Sequence, residues 1–200
     1  MIQMPASRFR LPGSPILAIV SDPRGLLWMT TDKGILRLDP STGRHRLFTR
    51  KDGLRNANFG SRSLLCLRDG TIIFGSSDGL GRFHPPEIEL NPYIPPVALS
   101  AIRTADPERR FPPMPDPGVG IELKTTEWPV ELDVAALSFD NPAQNRYAWR
   151  LTGNGYPSNW TEWGTERTVV LDRLRPGSYV LHVKGSNADG VWNETGMTVR

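Results

Sequence analysis

From residue 16 onward the chain reads as short runs in which apolar and polar residues alternate, each closed by a glycine or proline turn. A period of two is the signature of a half-buried strand. No window carries apolar residues at the three-and-four spacing of a helix. The pattern predicts strands over 16–21, 26–31, 35–38 and 44–49. The turns between them centre on Asp22-Pro23-Arg24-Gly25, on Lys33-Gly34 and on 40–43. Residues 1–12, with Pro5 and Pro12, read as irregular. Further on, strands are predicted over 97–102, 121–123, 130–139, 146–151, 168–171, 179–187 and 197–200. The polar stretch 104–119, with Pro107, Pro112, Pro113, Pro115 and Pro117, reads as a loop.

The first half repeats itself. Residues 68–83 overlay 22–38, with Gly25 on Gly70 and Gly34 on Gly79, both offset by 45 residues (70 − 25 and 79 − 34). Trp28 falls on Ile73, Ile35 on Leu80 and Leu38 on Phe83. Four short strands recurring at such a period predict β-propeller blades. Residues 84–96 then hold five prolines, which reads as a stiff join.

The second half is organised around 167–192. Leu174, Pro176, Gly177 and Tyr179 fit a tyrosine corner, in which the Tyr hydroxyl bonds back to the crossing backbone of an immunoglobulin-like sandwich. Tyr179, Leu181 and Val183 point one way, and Val180, His182 and Lys184 the other. Residues 187–190 read as a tight turn, and Val191-Trp192 as the start of the return strand. The expected sandwich core is Leu132, Val134, Tyr147, Trp149, Leu151, Val170, Tyr179, Leu181 and Val183. The expected fold is thus all-β: two blades over 1–88, a Pro-rich linker over 89–96 and an immunoglobulin/fibronectin-III-like sandwich over 97–200.

Composition supports this picture. Nineteen Gly and nineteen Pro among 200 residues suit a turn-rich β chain. A net charge of +3, with Arg scattered among Asp and Glu, does not make a nucleic-acid footprint. The densest basic cluster is Arg44, His45, Arg46, Arg50, Lys51 and Arg55, with only Phe48 to stack on, and reads as a solvated face. Cys66 stands alone in an apolar run and reads as a small buried residue. No apolar run is long enough to span a membrane, and residues 1–20 do not form a signal peptide.

No catalytic, cofactor or metal site is expected. His45, His84 and His182 lack ligand spacing. No nucleophile elbow surrounds a Ser. Gly79-x-Gly81 opens no helix. Glu162 and Glu166 lie on a polar, turn-rich stretch, as a solvated loop would. Trp160, Trp163 and Trp192 are candidate sugar-stacking platforms, or simply a cover for the sandwich edge. The sequence leaves ligand-binding residues unassigned.

Asp22-x-x-Gly25-x-x-Trp28-x-Thr30-Thr31-x-x-Gly34 resembles the two-component regulator propeller repeat, and Asp52-Gly53-Leu54 is similar to its inter-blade signature. Tyr147-x-Trp149-x-Leu151, Trp160, Leu174-x-Pro176-Gly177-x-Tyr179 and Asn187-x-Asp189-Gly190-x-Trp192 resemble the Y_Y_Y domain. The resemblance runs from about Ile16 onward. It implies a non-enzymatic, periplasmic sensor and signal-transmission segment of a sensor histidine kinase. In that reading the propeller senses a small-molecule or saccharide ligand, and the sandwich couples it to a membrane-anchored output. The resemblance further implies a piece of a longer protein. Two blades alone leave apolar faces open at Trp28, Ile35, Leu80 and Phe83, which predicts self-association as a dimer or docking of the blades on the sandwich, and no nucleic-acid partner is expected. The alternative is a carbohydrate-binding or spacer module of a secreted enzyme.

Overall fold

The structure is a computed structural model that describes residues 14–109, 111, 120–156 and 158–200. The irregular stretch expected at 1–12, and Pro112, Pro113, Pro115 and Pro117, lie outside the described residues. The chain divides into two compact units between Leu90 and Asn91.

The first unit holds two sheets. Strands β1 (Ile16–Ser21), β2 (Leu27–Thr31), β3 (Gly34–Leu38) and β4 (His45–Phe48) pair in sequence order. Strands β5 (Phe59–Cys66), β6 (Ile72–Ser76) and β7 (Gly79–Phe83) form the second sheet. The 45-residue offset holds at the level of register. Ser21 faces Leu27 as Cys66 faces Ile72, and Thr31 faces Gly34 as Ser76 faces Gly79. The turns repeat too. Asp22 N–H donates to Leu26 O at 2.9 Å, and Leu67 N–H to Thr71 O at 2.8 Å. Gly25 and Gly70 take φ of 80° and 86°, left-handed angles that glycine adopts without a side-chain clash.

Only the first blade has four strands among the described residues; the second has three. The offset maps β4 onto Leu90-Asn91-Pro92-Tyr93, where Pro92 has no N–H to give a ladder. Between the blades pack Trp28, Ile35, Phe48, Phe59 and Ile72, joined by the half-buried Phe74 and Phe83. Trp28 lies 4.8 Å from Phe83 and 5.7 Å from Phe48, centroid to centroid. Leu80, equivalent to the buried Ile35, is 85% exposed. Cys66 is half-buried against this cluster rather than fully enclosed.

The second unit is a sandwich. One sheet has the order β11 (Thr161–Gly164), β10 (Arg146–Thr152), β13 (Val180–Ser186), β14 (Trp192–Val199). The other has β12 (Thr168–Leu171), β9 (Val130–Ala136), β8 (Val97–Thr104). In β9 the alternation is complete: Val130, Leu132, Val134 and Ala136 are buried and the residues between them are not. They close on Tyr147, Leu151, Leu181 and Val183 from the facing sheet. Tyr147 Oη accepts the Ala136 N–H at 3.2 Å, one polar bond across the core.

Several expectations are corrected. Val170 is 48% exposed, and Val169 fills the core instead. Directly paired residues share a face. Val169 faces Leu132, whose side chain is inward, whereas Val170 faces Glu131. In β8 the register shifts between Leu99 and Ala101. Ile102, opposite Leu132, therefore packs on the core along with Leu99, three residues before it. Residues 121–123 are not a strand, although Ile121 N–H donates to Arg200 O at 2.6 Å. Strand β9 stops at Ala136 and leaves Phe139 exposed. The return expected to start at Val191-Trp192 and the last strand expected over 197–200 are one strand, Trp192–Val199. Trp149 and Tyr179 pack on the core but are only half-buried.

Candidate functional site

The Asp22-x-x-Gly25-x-x-Trp28 motif is one hydrogen-bonded object. The buried Asp22 carboxylate accepts the Arg24 N–H at 2.9 Å, the Leu26 N–H at 3.0 Å and the Trp28 indole N–H at 3.1 Å. It fastens the β1–β2 turn to the ring on the cleft floor. In the second blade Leu67 and Ile73 stand at the two equivalent positions, so acceptor and donor are lost together. Asp52-Gly53-Leu54 ends a short 3-10 turn. Thr49 caps that turn, with its N–H donating to Asp52 Oδ2 at 2.8 Å. Asp52 also binds Arg46 Nη2 at 2.7 Å, and the Arg46 guanidinium lies 4.7 Å above the Phe48 ring.

A cleft of about 670 Å³ opens between the two blades. Trp28, Ile35, Phe48, Phe74 and Phe83 are on its wall, and Arg46, Asp52, Arg55, Asp78 and Arg82 also line it. Its size is that of a ligand cleft. Two members of the expected basic cluster, Arg46 and Arg55, thus border a cavity rather than a featureless solvated face. Arg50 Nε donates to Arg55 O at 2.9 Å.

The second site is in the sandwich, on the β13–β14 turn. Asn187 and Asp189 are buried. Asn187 Oδ1 accepts the Asp189 and Val191 N–H groups at 3.0 and 2.9 Å, which shapes the turn. Its Nδ2 donates to Asn91 O at 2.8 Å and to Tyr93 O at 2.9 Å. Asp189 Oδ2 accepts the Asn91 N–H at 2.9 Å, and Asn193 Nδ2 donates to Pro95 O at 3.0 Å. Asn91 Nδ2 also donates to Asp140. The stretch expected as a plain linker is therefore, from Asn91 on, tied into the sandwich. The Asn187-x-Asp189-Gly190 motif, legible as a turn, also works as a latch.

The tyrosine corner is present. Tyr179 Oη donates to Arg175 O at 2.9 Å, and Asn154 Nδ2 donates to Pro176 O and Tyr179 Oη, each at 3.1 Å.

On the outer face of the four-stranded sheet, Lys184 Nζ lies 4.9 Å from the Trp160 ring and 5.2 Å from Trp192, and binds Glu194 at 2.8 Å. Arg150 lies 4.8 Å from Trp160. Trp163 meets Trp149 edge-on at 6.1 Å. The three candidate platforms are engaged by cations or by the core. His182, on the same strand, is held below the usual imidazole range by burial and then by the nearby Arg150 charge.

The other candidates stay apart. His45 approaches Gly43 O, His84 lies 3.5 Å from Thr71 Oγ1, and His182 is in the other unit. No group of three metal-ligating side chains occurs among the described residues. Glu166 accepts the N–H groups of Arg167 and Thr168, as a loop residue shaping its own turn. Glu162 lies near Arg146. No helix among the described residues is long and apolar enough to cross a membrane.

Comparison with known proteins fits this arrangement. The Y_Y_Y domain family matches residues 138–199. Over 186 residues the chain is 27% identical to histidine kinase P4 of Formosa agariphila, which takes in 88% of this chain and 13% of that protein. Its fold is similar to the extracellular domain assigned to a hybrid two-component system of B. thetaiotaomicron. That match has a TM-score of 0.65 and 25% identity, over 95% of this chain and 26% of the other. The chain thus spans a small part of either relative. By its fold the chain is a pair of propeller-type blades followed by a sandwich, of which residues 138–199 match the Y_Y_Y domain family, and it is similar to the extracellular domain of a two-component system.

Proposed function

We propose that this chain is a non-catalytic, periplasmic signal-transmission segment of a membrane-anchored sensor histidine kinase. Its blades belong to the propeller that takes the ligand, a small molecule or saccharide bound with blades beyond these two. Its sandwich passes the resulting displacement toward the membrane between paired subunits. The observation that carries this reading is the latch. Residues 91–95, the lead-in to the sandwich, are bonded to the same β13–β14 hairpin whose second strand ends at Val199. A movement of the lead-in therefore reaches the outgoing strand through short, part-buried bonds rather than through a slack spacer. Coupling of this kind needs two arrangements with different ligand affinity.

The test is made in the full-length parent. Asn187→Ala combined with Asn193→Ala removes three side-chain hydrogen bonds to the lead-in. Output should stop following ligand, while ligand affinity stays within about twofold, since no latch residue is among those that line the propeller cleft. Output that follows ligand normally would overturn the coupling role. The carbohydrate-module alternative is disfavoured by the cations already on Trp160 and Trp192.

A further inference from the structure

The turn after β10 carries a chemistry that the signalling role does not use. Asn154-Gly155 is the only Asn-Gly pair in the chain. Tyr156 N–H donates to Gly153 O at 2.9 Å, and Asn154 and Gly155 take φ of 43° and 76°. Positive φ at both central positions makes this a type I′ turn, for which Asn-Gly is a favoured pair. The same pair is chemically labile. The amide nitrogen after an Asn can close a five-membered ring on the side-chain Cγ, and a glycine there has no Cβ to hinder the approach. Asn154 and Gly155 are both exposed, and a Cβ at Gly155 would meet nothing within 4 Å. Neither crowding nor exclusion of water protects the pair.

The restraint comes from the tyrosine corner. Asn154 Nδ2 donates to Pro176 O and to Tyr179 Oη, each at 3.1 Å. A Cβ at Gly153 would strike Ser178 O, and one at Gly177 would lie 2.9 Å from Asn154 Nδ2, so the turn is wedged against residues 177–179. The Tyr156 ring meets the Tyr179 ring edge-on at 6.2 Å. Ring closure needs the face of the Asn154 carboxamide turned to the Gly155 nitrogen, and then needs Nδ2 to leave. Both require the two corner bonds to break.

We propose that Asn154 is a site of spontaneous deamidation, gated by the tyrosine corner. In the first step Gly155 N bonds to Asn154 Cγ and gives up its proton, the Cγ–Nδ2 bond breaks, and ammonia carries that proton away. The succinimide left behind takes up water. Opening at Cγ gives aspartate. Opening at the main-chain carbonyl gives isoaspartate, which adds one carbon to the backbone of the turn. Either product sets a carboxylate, which has no hydrogen to donate, where Pro176 O and Tyr179 Oη had a donor. Pro176 O then faces another acceptor, and the corner that leads into β13 loosens. The sandwich thus ages from its corner rather than from its core, and the corner sets the pace.

The test incubates the whole 200-residue chain at mildly alkaline pH beside a free peptide of residues 151–167. Trypsin, cutting after Arg150 and Arg167, releases the same peptide from the chain, and mass spectrometry with fragmentation reads amide against acid at Asn154 and at Asn159. Asn154 should convert in the folded chain, faster than Asn159, yet on the order of tenfold more slowly than in the free peptide, the factor that holding two hydrogen bonds implies. Tyr179→Phe, which removes one of the two, should speed Asn154 about fivefold and leave Asn159 unchanged. Asn154→Asp, which makes one product directly, should raise hydrogen exchange at the Tyr179 amide while β9 amides stay as they are. Four results would overturn the proposal. One is Asn154 intact in the folded chain after the free peptide has converted. Another is equal rates in chain and peptide. The third is a Tyr179→Phe variant in which Asn154 does not accelerate, or in which Asn159 accelerates equally, since general unfolding would then set the rate. The last is Tyr179 exchange unaltered by Asn154→Asp, which would leave the corner indifferent to the modification.

Discussion

Asp22 is the residue on which the first blade's turn and the cleft floor both depend. Its carboxylate is the acceptor for two turn amides and for the indole of Trp28. Asp22→Ala should cost about 1–3 kcal/mol in a urea melt read by Trp28 fluorescence, the penalty of stranding a buried donor. In contrast, Tyr179→Phe removes two exposed bonds, one to Arg175 O and one from Asn154 Nδ2, and should cost about 1 kcal/mol. His182 gives a pH signature. Its folded-state pKa lies below the usual 6.5, so the unfolded chain protonates first as pH falls. The stability it contributes is complete above about 6.5 and is lost as pH drops from there through the folded value. The midpoint of sandwich unfolding should therefore fall between pH 7 and 5 by more in the native chain than in His182→Gln. At this scale the sequence displays the tyrosine corner, since Leu174, Pro176, Gly177 and Tyr179 are each needed locally. The Asp22–Trp28 bond is hidden, because its two ends meet only once a hairpin with the right twist has formed.

Among the elements, β9 is legible because its alternation is unbroken, and β12 is not. Two adjacent valines satisfy either face, and only the pairing of Val169 with Leu132 decides between them. Val169→Ala should cost about 1–3 kcal/mol by loss of buried methyls. Val170→Ala should stay within about 0.5 kcal/mol, as exposed substitutions do; equal effects in chemical denaturation would mean the strand slips. The bulge at Ser100 escapes the sequence for a related reason. One extra residue moves Ile102 inward without altering the run of residue types that precedes it. The latch escapes it because Asn and Asp in a turn are explained by the turn alone. Asn187→Ala should raise amide exchange in residues 91–95 and lower sandwich stability by about 1–3 kcal/mol. Replacing 91–96 by glycine and serine should do less than Asn187→Ala wherever the acceptors are backbone carbonyls, which any residue supplies.

For the whole molecule, the repeat is legible because turn glycines mark it. The number of strands per blade among the described residues is not, because the break in the pattern at 90–93 is marked only by a proline at residue 92. Each unit closes its own apolar core. Trp28 is the only tryptophan before Asn91, and the other five lie after it. Emission from Trp28, isolated by difference against Trp28→Phe, should therefore follow a different urea transition from the total; coincident transitions would mean that the chain unfolds as one body. The latch has a further consequence for how such modules can be exchanged. Recombination that joins a foreign sensor just before Val97 would transplant a sandwich whose Asn187, Asp189 and Asn193 face whatever backbone the donor brings. A crossover before Asn91 carries the lead-in along with its receptors. Chimeric receptors spliced at the earlier position should inherit a working transmission, and those spliced six residues later should have to evolve one anew.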